Sequence, residues 1–80
     1  QQAGEKLFSA LENYIQYLYS KTASSFFEIK NMVSDRKLKK LLYDARNLHR
    51  FFYNGELEMD PQDAEELYVS VYKRLKARIE

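Results

Sequence analysis

The chain has 80 residues, a net charge of +1, 45% apolar residues and no cysteine. That is one domain, residues 1–80, and a chain this short buries only about 60% of its unfolded surface on folding, so association is a natural supplement to its core. The near-neutral balance argues against strong nonspecific nucleic-acid binding by bulk charge, the lack of Cys excludes disulfide and thiolate chemistry, and a single His argues against structural zinc.

No metal and no cofactor are therefore expected. No apolar run approaches the length of a membrane span, and no basic start followed by an apolar segment marks a leader. The expected setting is cytoplasmic, with no membrane partner. Gln1 is not a natural start residue, and the chain is expected to be a fragment or a trimmed product.

With only two Gly and one Pro, the spacing is helical throughout. Ala3, Leu7, Ala10, Leu11, Tyr14, Ile15 and Leu18 recur at steps of three and four and predict a helix over roughly residues 2–20. The pattern pauses at Ser20-Lys21-Thr22-Ala23-Ser24-Ser25, where a hydroxyl can cap the next helix. Phe26, Phe27, Ile29, Lys30, Met32 and Val33 form a short second helix or a kinked continuation of the first.

Ser34-Asp35 is the next cap, followed by the cleanest stripe: Leu38, Leu41, Leu42, Ala45, Leu48, His49 and Phe52. Asn54-Gly55 ends that helix, because Gly accepts the left-handed conformation. Asp60-Pro61 opens the last helix as N-cap and N1. Its early acids and its late Lys73, Arg74, Lys76 and Arg78 complement the helix dipole. Ala64, Leu67, Tyr68, Val71, Tyr72, Leu75 and Ile79 are its expected buried face. The fold class is all-α: an up-and-down helical bundle of three long helices and one short one.

Three groups of residues are candidates for function. His49 either moves a proton, with Arg46 beside it at a three-residue step, or fills a place in the apolar stripe. Arg50, next in sequence, is expected to point elsewhere. The basic run Arg36, Lys37, Lys39 and Lys40, extended by Arg46 and Arg50, either holds nucleic-acid phosphates or is a solvated helix face. Phe51, Phe52 and Tyr53 cover most of a helix circumference, so at least one faces outward to stack on a base or meet another chain. Tyr14 and Tyr17 share a face, as do Tyr68 and Tyr72. Tyrosine combines an apolar body with a polar tip and suits interfaces, so these four join Phe51, Phe52 and Tyr53 as interface candidates. No Gly-rich phosphate loop is present.

The string Ala45-Arg46-Asn47-Leu48-His49-Arg50-Phe51-Phe52-Tyr53, followed by Asn54-Gly55-Glu56-Leu57, resembles the archaeal PaREP family of the HEPN clan. That family's typical pattern is Ala-x-x-Leu-His-x-x-Phe-Tyr with a polar turn and Leu. Gln2-Ala3-Gly4-Glu5-Lys6-Leu7 is similar to the start of its second helix, and Asp63-Ala64-Glu65-Glu66 through Leu75 to its last. The resemblance implies a HEPN-like helical fold in which another helix precedes the Gln2-Ala3 segment. Without that helix, an apolar face awaits a second copy or a partner protein.

Many HEPN domains are dimeric ribonucleases of toxin–antitoxin or defence systems, marked by an Arg, four to six residues, and a His. Here Arg46 precedes His49 by three positions and Tyr43 stands six before it. The expected function is a homodimeric interaction module, a component of a toxin–antitoxin or defence pair. The alternative is an RNA-binding or RNA-cleaving protein whose catalytic residues are His49 and Arg46.

Overall fold

A computed structural model of the chain describes residues 2–55 and 58–80, with side chains for all of these except Gln2, Ala3, Gly4, Tyr53 and Asn54. The described residues are all-helical, with no strand. In order they form α1 (Gln2–Tyr19), α2 (Phe26–Met32), α3 (Arg36–His49), a π-helical turn (Arg50–Asn54) and α4 (Pro61–Ile79). The second helix is separate from the first, which decides between the two readings of that segment.

Capping side chains set the boundaries. α1 ends with Ser20 at φ 53°; the Lys21 N–H donates to the Gln16 carbonyl and the Ser20 N–H to that of Tyr17. This is a Schellman ending with Ser at the position that Gly ordinarily takes. Ser25 caps α2, its hydroxyl accepting from the Glu28 N–H at 3.2 Å. The Glu28 carboxylate reaches back to the Ser24 N–H at 2.7 Å, and that bond holds its pKa below the usual value.

Asp35 caps α3 by accepting from the Lys37 and Leu38 N–H groups. Asp60 caps α4 by accepting from the Gln62 N–H at 2.8 Å, with Pro61 in the first turn. Gly55 closes the turn after α3 at φ 62°, in the left-handed region where an added Cβ is strained.

α3 is the central helix, packed against both α1 and α4. Leu7, Leu11 and Ile15 of α1 meet Leu38, Leu41, Leu42, Ala45 and Leu48 of α3, with Ala64, Val71 and Leu75 from α4. Ile29 and Val33 belong to the same core. Two charged pairs fix α3 to α4. Both terminal nitrogens of Arg74 donate to Asp44 Oδ2, at 3.0 and 2.9 Å, while Lys40 Nζ lies 3.3 Å from its other oxygen. Arg78 donates to Asp35 at 3.0 Å, which lowers the Asp35 pKa beyond the smaller effect of the capped amides.

Several residues assigned by periodicity to the buried face lie outside it. Tyr72 is 48% exposed, Ile79 58% and Leu18 48%, and Ala10 is also exposed. An isolated amphipathic pattern does not say how wide a stripe its neighbours cover, and in this bundle the neighbours of α1 and α4 leave these positions uncovered. The side chain of Ala3 lies outside the described residues.

Candidate functional site: a polar cleft and an apolar groove

Leu7, Leu11 and Ile15 bury one stripe of α1. The stripe one residue on, Phe8, Glu12 and Gln16, faces α2 and the end of α3 across an open cleft of about 510 Å³. The loop before α2 forms one wall. It is held in place by the Ala23 N–H donating to Gln16 Oε1 at 2.8 Å, while Gln16 Nε2 donates to its own helix at the Glu12 carbonyl. Arg46, His49 and Arg50 form the facing wall.

The aromatic rings make a continuous stack. His49 lies against Phe8 with ring centroids 4.9 Å apart and planes inclined by 23°. Phe8 is followed by Phe26 at 6.5 Å, and Tyr43 meets Phe26 edge-on at 5.9 Å. The Arg46 guanidinium sits 4.0 Å above the Phe26 ring, a cation–π position that keeps the charge at the cleft mouth.

His49 is half-buried, with its Nδ1 atom inside. Glu12 is close enough that the His49 charge lowers its pKa, but burial raises it by more, and the net shift is upward. Charge of both signs thus converges on one cavity whose rear wall is aromatic. Such an arrangement can bind an anionic group against the arginines.

His49 and Arg46 are brought together, as the three-residue spacing requires. Arg50 joins them, contrary to the expectation that it points elsewhere. It stands four residues after Arg46, on the same face, and lies at the step from the α-helix into the wider π turn, a feature that recurs at functional sites.

The basic run does not form one surface with these residues. Arg36, Lys37 and Lys40 line a separate depression between α3 and α4, together with Arg74 and Arg78. Lys39 lines neither cavity. The Asp44 and Asp35 carboxylates pair with Lys40, Arg74 and Arg78 there.

The interface candidates also divide. Tyr17 is 82% exposed. Tyr14, Phe51 and Phe52 pack on the core, Phe51 edge-on to Phe52 at 5.2 Å. The Tyr53 side chain lies outside the described residues. Tyr68 and Tyr72 share a face, as expected, and line an apolar groove of about 420 Å³ between α1 and α4. Leu7, Ala10, Leu75 and Ile79 complete its apolar surface, with Lys6, Lys76 and Glu80 among its charged lining.

Glu12, Phe8, Gln16 and Asp44 were not singled out by sequence. The i, i+4, i+8 spacing of Phe8, Glu12 and Gln16 was the available signal for the first three. Asp44 interrupts the apolar stripe of α3 as Arg74 interrupts that of α4, and the two complement each other.

Among the described residues no group of three His, Asp or Glu side chains could hold a metal ion, and no helix is long and apolar enough to cross a membrane. No family model matches the sequence, and comparison with curated proteins and with solved structures returns no match.

Proposed function

We propose that the chain is a small helical interaction module that associates with a second copy of itself through the outer face of α1 and α4. The observation that carries this reading is the groove between those helices, lined by Leu7, Ala10, Tyr68, Tyr72, Leu75 and Ile79. Covering the exposed Ala10, Tyr72 and Ile79 side chains of this groove would remove apolar surface from water, and a domain of this size gains more from such cover than a larger domain would. The likeness of the His49 segment to HEPN proteins supports a role in a toxin–antitoxin or defence pair, with the polar cleft left open on the other side of α1. The test is light scattering after size exclusion across a concentration series. The expected mass is twice the 9.6 kDa of the chain; a monomer persisting at millimolar concentration would sink the reading.

A second reading rests on the cleft. Glu12, Arg46, His49 and Arg50 share one cavity, which supports an RNA-binding or RNA-cleaving HEPN-type protein in which Arg46 and Arg50 neutralise phosphate and His49 handles a proton. Purified protein is incubated with single-stranded RNA beside His49→Ala, each checked for helix content and mass. Cleavage lost in a folded mutant supports this reading, and an inert wild-type protein removes its catalytic form.

A further inference from the structure

The outward face of α4 carries a second pattern, independent of the one that builds the core. Gln62, Glu65, Val69, Tyr72, Lys76 and Ile79 follow one another at steps of three, four, three, four and three, and all six are exposed. That is the spacing of a coiled-coil seam, presented to solvent over about 26 Å of helix at 1.5 Å per residue. The charges along it are segregated: Glu65 and Glu66 lie in the first half, Lys73 and Lys76 in the second, and the apolar Val69 and Tyr72 in the middle.

We infer that a second copy of this chain docks antiparallel along α4, about a two-fold axis that passes midway between Ser70 and Val71. The inference rests on the self-association proposed above and specifies its register. A two-fold interface is isologous, so each residue meets one equally far on the other side of the axis. Val69 then meets Tyr72 of the second copy, Glu65 meets Lys76, and Gln62 meets Ile79. The shared axis follows from the alternating three- and four-residue steps; what singles out this register is the chemistry of the pairs, an acid opposite a base and Val69 opposite Tyr72.

Glu66 and Lys73 each lie one residue beyond the seam on the same side and come within diagonal reach of one another's copies. A parallel arrangement would instead set Glu65 against Glu65 and Lys76 against Lys76, and like charges across an interface suppress that alternative. The apolar groove beside Tyr72 and Ile79 adjoins the seam, so the docked helix also covers part of it. In the single chain Lys76 contacts Glu80 only at 4.0 Å, with both side chains more than half exposed. A surface pair of that kind contributes little and is readily exchanged for Glu65 of the second copy.

The experiment is sedimentation over a concentration series for the full chain, Glu65→Lys, Lys76→Glu and the double exchange. Both positions are exposed, so circular dichroism is expected to show unchanged helix content. Each single reversal places like charges opposite one another twice per dimer and is expected to weaken association at least about tenfold. The double exchange restores the complementary pairs and is expected to return to within about threefold of the original chain. A dimer indifferent to the single reversals, or one that the double exchange fails to restore, would overturn this register while leaving self-association standing. A wild-type chain that stays monomeric throughout would overturn the self-association itself.

Discussion

The cleft and the groove share α1 but are built in different ways. The groove follows from two helices whose apolar stripes are wider than the cover that α3 gives them, so it is a consequence of helix periodicity. The cleft depends on tertiary placement: residues from α1, the loop before α2, α2 itself and the end of α3 meet there, and the α3 wall lies at least 17 residues along the chain from the others, the separation of Ile29 and Arg46. The groove therefore tolerates small shifts of its helices, whereas the cleft needs each wall held. Its loop is pinned by Gln16, and its ring stack ties α1 to α2 and α3.

The largest effect is expected where both sites share a foundation. Leu11 is fully buried in the core beneath α1, and Leu11→Ala removes its contacts and leaves a cavity, at about 3 kcal/mol. The whole chain is stabilised by roughly 4–12 kcal/mol at typical values per residue, so urea denaturation is expected to show a midpoint shifted by a large fraction of its range. A loss below about 1 kcal/mol would mean that α1 is not anchored as described and that its two faces are not coupled through the core.

A smaller effect distinguishes the α4 side. Asp44 is buried and accepts two charged hydrogen bonds from Arg74. Among the described residues Asp44→Ala leaves that guanidinium with the Ser70 hydroxyl at 3.1 Å, at about 2 kcal/mol, discounted from a fully buried pair because the arginine is partly exposed. A double-mutant cycle with Arg74→Ala is expected to give a coupling of about 1 kcal/mol. Additive single mutants would show that this ion pair adds no coupling and that the helices are held by their other contacts, the apolar packing and the Arg78–Asp35 pair.

On the cleft side, Gln16→Leu removes the acceptor of the Ala23 N–H, for a loss of about 1 kcal/mol. Hydrogen exchange is expected to quicken at Ala23 with little change along α4. Equal quickening in both places would indicate global loosening and erase the contrast between the two sites.

The same contrast explains what the sequence made legible. Helix starts at Ser25, Asp35 and Asp60 and the left-handed Gly55 are local chemistry, visible in a few adjacent residues. The core stripe of α3 is visible because that helix is covered along its whole apolar side. Tyr72 and Ile79 were misplaced because periodicity identifies an apolar face without saying whether another helix covers it. Glu12 was invisible for another reason: its meaning comes from His49, which lies 37 positions further along the chain, and no spacing rule connects them. Arg50 was legible in part: its four-residue step from Arg46 puts the two on one side of the helix, while its adjacency to His49 suggests divergence, and the first relation is the one that matches its place in the cleft.

The smallest effect concerns that carboxyl. Burial raises the Glu12 pKa above 4.5, and the attraction of His49 only partly offsets it. A raised carboxyl pKa means that the folded state favours the protonated form, so this contribution to stability is full below the unfolded pKa and is lost as pH rises through the folded one. Glu12→Gln keeps the shape and removes the ionisation. Thermal melts are expected to place the variant above the wild type at pH 7, with the gap closing as pH falls below about 4. A variant that is less stable at pH 7 would mean that attraction to His49 outweighs desolvation. The cleft would then be a structural ion pair rather than a site that keeps a carboxyl at a cost to stability.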